Sequence, residues 1–130
     1  MMPVRWRVGW LVVWWIMAGS GWLHAAERPE AAGRLIVFVA DYCPYCKEFL
    51  KVVAPVYPKT DLGGRFPLEV VDHFSPSREW ESLAWEIRFY PTFLVMDGQG
   101  RELGRFRGYR GEEPFWSEME RIAVRRVATP

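Results

Sequence analysis

Two cysteines, Cys43 and Cys46, stand three positions apart with Pro44 and Tyr45 between them. Such a pair can staple a chain, hold a metal or exchange electrons. A bridge here closes a very small loop, worth roughly 2 kcal/mol by chain entropy against about 4.7 for a 100-residue loop, so a staple is poorly placed. Zinc normally takes four ligands, and beyond the N-terminal segment His73 is the one remaining histidine, so no metal site is expected. Thiol chemistry fits better. At the start of a helix, unpaired backbone N–H groups and the helix dipole stabilise an anion on the first sulfur, and the thiolate is the reactive form. A fall in the Cys43 pKa from about 8.5 to about 7 raises the thiolate fraction at neutral pH from about 3% to about half. Cys46, one turn on and facing inward, is then placed to attack a mixed disulfide and release the reduced partner.

The elements that must position this pair are legible around it. Residues 35–40 (LIVFVA) form a short apolar run bounded by charges, the pattern of a strand covered on both faces. It leads straight into the cysteines. Phe49, Leu50, Val52, Val53 and Val56 then recur at near-helical spacing, Pro44 suits a first helical turn, and Pro55 and Pro58 end or kink the helix. Asp61-Leu62-Gly63-Gly64 reads as a loop before a second strand at 67–72. Ser75-Pro76 offers a cap for a helix burying Trp80, Leu83, Ala84 and Ile87. Residues 92–96 form a third strand, Asp97-Gly98-Gln99-Gly100 a tight turn, and 101–107 the returning strand. In 112–127, Phe115, Trp116, Met119, Ile122, Ala123 and Val127 share one stripe, with acids first and arginines last, as the dipole favours. The predicted order is β-α-β-α-β-β-α in one α/β domain at 27–130.

Residues 1–26 differ in character. Arg5 and Arg7 precede a 16-residue uncharged stretch, residues 8–23, and Ala25 and Ala26 come just before the first acid, Glu27. This is the layout of a secretory signal peptide. An uncleaved anchor is the alternative, disfavoured because a spanning helix usually needs about 20 apolar residues. Export puts the cysteines in a compartment where disulfides persist. The remaining chain carries 15 basic and 16 acidic groups, so bulk attraction to nucleic acid or anionic lipid is not expected. Membrane contact is expected only through the N-terminal segment if it is not removed.

Cys43-Pro44-Tyr45-Cys46 after an apolar strand, together with Phe89-Tyr90-Pro91-Thr92-Phe93 downstream, resembles the thioredoxin superfamily over residues 34–127. The resemblance implies a thioredoxin-like fold with a mixed four-stranded sheet flanked by helices, a redox-active Cys43–Cys46 disulfide and no bound cofactor. It also implies a cis Pro91 beside the cysteines, with Tyr90, Pro91 and Thr92 shaping a groove for an extended partner chain and Pro44 and Tyr45 on the exposed turn. A cis X–Pro bond turns the backbone sharply and frees strand-edge groups to pair with a peptide. Ala54-Pro55-Val56-Tyr57-Pro58 and the run from Tyr90 to Trp116 are similar to the small periplasmic thioredoxins, the SoxS type, of bacterial sulfur-oxidation systems. That narrower similarity implies a periplasmic monomer that reduces cysteines of a partner protein, a sulfur-oxidation carrier among the candidates, and draws electrons from a membrane thiol transporter. A disulfide oxidase or isomerase, and a binding module whose bridge stays closed, are the alternatives.

Two departures bear on mechanism. Ordinary thioredoxins carry a buried acid six residues before the first cysteine, where this chain has Val37, so a proton relay by that route lacks its acid. Pro44-Tyr45 matches the glutaredoxin active site, yet glutathione-anchoring residues are not found. Asp41, Lys47 and the Arg101, Arg105, Arg107 and Arg110 patch are expected as solvated charges. Trp80, Trp85 and Trp116 are expected in the core. His73 is expected as a surface or capping residue, with a proton carrier near the cysteines as its alternative role.

Overall fold

The computed structural model describes residues 31–127, with side chains through residue 125; the expected signal segment and the side chain of Val127 lie outside the described residues. Alternation along the first strand, β1 (Gly33–Val39), sets the layers, because residues two apart share a face. Leu35 and Val37 pack on one side with Phe49, Phe93, Phe115 and Met119. Ile36 and Phe38 pack on the other with Val71, Trp80, Ile87 and Leu94. Both faces are covered, which is why this strand is apolar without a polar alternation.

The sheet has four strands in the order β2-β1-β3-β4. β2 (Leu68–Asp72) runs parallel to β1, with Leu35 opposite Leu68. β3 (Thr92–Asp97) is antiparallel to β1, with Val37 opposite Phe93, and β4 (Glu102–Arg107) is antiparallel to β3. The expected mixed four-stranded sheet is therefore present. The Asp97 turn forms as predicted: Asp97 N–H donates to the Arg101 carbonyl at 2.8 Å, Asp97 Oδ1 accepts from the N–H groups of Gln99 and Arg101 at 2.9 Å each, and Gly100 takes φ +79°.

α1 (Pro44–Val52) begins at the cysteines and buries Cys46 and Phe49. Phe49 meets Phe93 edge to face at 4.9 Å and Phe115 at 5.3 Å. Burying one such side chain contributes about 1.5–3 kcal/mol, and these ring pairs add about 0.5–1.5 each. The helix end that carries the cysteines is thus fixed to the sheet. Its apolar stripe stops at Val53; Val56, expected on that stripe, is exposed because the chain turns at Ala54 and enters a 3-10 turn at Tyr57–Lys59. α4 (Glu112–Val127) packs Phe115, Met119 and Ile122 on the same face of the sheet.

Three expectations are corrected. Asp61–Arg65 is a short helix, α2, not a loop: Thr60 caps it by accepting from Gly63 N–H at 3.0 Å, and Gly63 lies so close to Tyr57 that a Cβ would sit 1.9 Å from the Tyr57 carbonyl oxygen. α3 is one turn, Glu81–Ala84, and starts five residues after Pro76, so Ser75 does not cap it; Trp80, its flanking residue, makes no side-chain cap. Trp85 is 78% exposed, since the helix ends before it and it faces solvent beside Arg88, outside the packed cluster of Trp80, Ala84 and Ile87.

Candidate functional site: the cysteine pair and the loops beside it

β1 delivers the chain to Ala40, whose carbonyl accepts from Cys43 N–H at 3.1 Å and closes the turn into α1. Cys43 sits at the N-cap with extended backbone (φ −86°, ψ 111°), and its Sγ accepts from Cys46 N–H at 3.1 Å. Pro44, which has no N–H to satisfy, occupies the first helical position. No acidic residue lies in the first turn to oppose a negative sulfur. Cys43 and Cys46 are joined as a disulfide with Cα atoms 5.3 Å apart. Both are buried in a small cluster with Ala40, against which Val39 and Tyr90 pack. Pro44 and Tyr45 stand exposed on the turn, as do Asp41 and Lys47.

The Tyr90–Pro91 peptide bond is cis and Pro91 is buried; its carbonyl accepts from Gly108 N–H at 2.8 Å. Thr92 is buried and its hydroxyl donates to the Phe89 carbonyl at 2.6 Å, so it braces the loop from within. Tyr90 is half-buried against the cysteine cluster, and burial, followed by neighbouring Tyr42, holds its hydroxyl above the usual tyrosine range, while Arg88 opposes. The structure therefore packs Tyr90 against Cys43 and Cys46, with Pro91 next to it through the cis peptide bond. Val37, where the resemblance leads to an acid, is fully buried among apolar side chains.

An aromatic rim of Tyr42, His73, Phe74 and Tyr90 borders the pair. Tyr42 lies 6.3 Å from Tyr90 and 6.0 Å from Phe74, and the His73 ring lies 4.8 Å from Tyr90 and 4.9 Å from Phe74. His73 Nδ1 is buried without a hydrogen-bond partner, and the His73 backbone N–H donates to Val39. Phe74, 64% exposed in a loop, carried no periodic signal; its one sequence cue is an aromatic standing just after a strand. The arginine patch is largely neutralised or stacked: Arg101 pairs with Asp97, Arg105 with Glu102 and Glu86, and Arg107 lies over the Phe89 ring.

Among the described residues no cluster of three or more His, Cys, Asp or Glu could hold a metal, and no helix is long and apolar enough to cross a membrane. The site's chemistry thus rests on two sulfurs at a helix N-terminus, beside an X–Pro loop with an exposed aromatic border. Residues 25–123 match the model of the thioredoxin-like domain. No curated protein matches the sequence closely. The periplasmic thioredoxin SoxS from Paracoccus pantotrophus, in its reduced form, is 33% identical, with 68% of this chain and 93% of that chain covered and a TM-score of 0.58. Fasciola hepatica thioredoxin is 25% identical over 69% of this chain and 82% of its own, with a TM-score of 0.53. A thioredoxin from Thermus thermophilus shares the fold at 21% identity, covering 72% of this chain and 75% of that one, with a TM-score of 0.53. By its sheet, its cysteine pair and these matches, the chain belongs to the thioredoxin-like family.

Proposed function

We propose that this protein is a periplasmic dithiol reductant of protein disulfides, with Cys43 as attacking sulfur and Cys46 as resolving sulfur. The observation that carries the reading is the Cys46 N–H aimed at Cys43 Sγ across the first turn of α1. In the reduced protein that donor, with the other free N–H groups of the turn, favours the thiolate on Cys43. The thiolate attacks one sulfur of a partner disulfide; a Cys43–partner disulfide forms and one partner thiolate leaves, taking a proton from water. Cys46 then loses its proton and attacks Cys43 Sγ; the Cys43–Cys46 bond closes and the second partner thiol is released. Two electrons pass to the partner, and no cofactor takes part, in keeping with a cofactor-free family. With Val37 in place of an acid, the Cys46 proton leaves to solvent or to the departing thiolate.

Tyr90 and Pro91 border the pair and offer backbone to an extended partner segment, with Pro44 and Tyr45 on the exposed turn. The similarity to a periplasmic thioredoxin supports the compartment; the reducing direction and a sulfur-carrier protein as partner are part of the proposal. Residues 1–26 supply the export signal, and a membrane dithiol transporter resets the disulfide. The test is the reduction potential with a trapping assay. A potential below about −200 mV and accumulation of a mixed disulfide by Cys46→Ser support the reductant; a value near −120 mV identifies an oxidant instead. A bridge that no dithiol opens identifies a binding module.

A further inference from the structure

Beyond the aromatic rim lies a cleft of about 550 Å³ that the exchange chemistry does not use, lined by His73, Phe74, Pro76, Glu81, Ala84, Trp85 and Arg88. Its size falls within the range of about 300–1,000 Å³ seen for specific small-ligand sites. Two of its walls are aromatic rings left in water, Phe74 at 64% exposure and Trp85 at 78%. Exposed aromatics beside a concavity are the residue types that anchor interfaces, because they bury much area and lose little side-chain entropy.

The cleft adjoins the aromatic rim beside the reactive sulfur. His73 belongs to its lining and touches Tyr90, which packs on the Cys43–Cys46 cluster. Two ring contacts of 4.8 and 4.9 Å lead from Tyr90 through His73 to Phe74. The Tyr90 and Phe74 rings lie 6.4 Å apart, about two residues of extended chain at about 3.3–3.6 Å each, and crossing Tyr90 from Cys43 adds about one or two more, so a polypeptide with its cysteine at Cys43 reaches the cleft in about three to four residues. The charge at the cleft is also informative. Arg88 Nη1 donates to the carbonyls of Trp85 and Ile87, and no carboxylate among the described residues pairs with the guanidinium. Glu81 shares the lining, so the fit is to a single carboxylate at Arg88 and not to a polyanion.

We propose that this cleft is a recognition subsite for the partner polypeptide, seating an aromatic side chain about three to four residues from the reacting cysteine with an adjacent carboxylate on Arg88. The proposal rests on Cys43 being the attacking sulfur. Its occupant is a protein segment, and it acts on binding and not on the exchange step.

The test uses synthetic peptides whose single cysteine is capped as a thionitrobenzoate mixed disulfide, with Trp-Asp or Ala-Asn placed three to four residues away on either side. Release of thionitrobenzoate is followed with the reduced protein, and the cap reagent without peptide serves as reference. The wild type is expected to favour a Trp-Asp peptide by about tenfold in kcat/KM, carried by KM. Trp85→Ala and Arg88→Gln are each expected to bring that preference below about threefold while the reference reagent reacts at the wild-type rate. Equal rates for the two peptides on the wild type, or full preference retained by Trp85→Ala, overturns the subsite. Failure of the reference reagent to react with any variant overturns the Cys43 reading on which it rests.

Discussion

The backbone N–H of Cys46 donates to Sγ of Cys43 at 3.1 Å, so the sulfur fills the place that a serine or aspartate oxygen takes at many helix N-termini. One hydrogen bond thereby joins the two cysteines of the pair through the backbone of one and the side chain of the other. The consequence is an asymmetry of roles: Cys43 receives the turn's donors, while Cys46, 1% exposed, sits one turn inside.

Tyr57 ties the segment after α1 to the core. Its hydroxyl donates to the buried Phe66 carbonyl at 2.8 Å and its ring stacks on Trp116 at 5.8 Å. Tyr57→Phe keeps the ring and leaves the carbonyl unpaired, so a loss of about 1–3 kcal/mol is expected in urea unfolding, with exchange rates unchanged. Burial raises the Tyr57 pKa above the ordinary value of 10.0. The stabilisation from its neutral form is complete below that unfolded value and declines as pH rises toward the folded one. Wild-type stability should therefore fall above about pH 10, and less so in Tyr57→Phe.

Asp97 holds the β3–β4 turn, and its carboxylate lies below the usual range, chiefly through the Arg101 backbone N–H, with the Gln99 N–H and the Arg101 side chain adding to it. A depressed folded pKa gives stability that is present above the unfolded value and lost as pH falls through the folded one. Urea midpoints measured from pH 7 down to about pH 2 should decline below about pH 4 in the wild type. Asp97→Asn is expected to be less stable at pH 7 and to show a flatter acid limb.

Gly33 opens β1 where the sheet leaves no room: a Cβ there would lie 1.8 Å from the Met96 carbonyl oxygen. Because the obstructing atom is backbone, β1 and β3 must part to admit a methyl group. Gly33→Ala is expected to lower stability by about 1–3 kcal/mol or more. Gly64→Ala, with nothing within 4 Å of the new Cβ, serves as the control and should change it little. Thermal unfolding of the pair tests this.

The strands, the start of α1 and the stripe of α4 are legible in the sequence because each is dictated by local period or by a proline at a cap. The order of β-α-β-α-β-β-α follows from them. α2 is not legible, since Asp61-Leu62-Gly63-Gly64 has loop composition; Thr60 capping and the close approach of Gly63 to Tyr57 make it helical, and that approach is a tertiary fact. Trp85 follows the spacing of a helix that ends one residue earlier, so its pattern pointed inward while its side chain faces water. At the site, Cys43, Cys46, Tyr90 and Pro91 are marked by motif. His73 and Phe74 join them only because β2 runs parallel beside β1 and ends at the same edge.

The most direct measurement is titration of the reduced protein's two thiols, by thiolate absorbance and by the pH dependence of iodoacetamide labelling resolved by mass spectrometry. The account predicts Cys43 at least one unit below the free-thiol value of about 8.5, and Cys46 above Cys43. A Cys43 pKa at or above about 8.5, with both cysteines labelled equally and slowly, contradicts it.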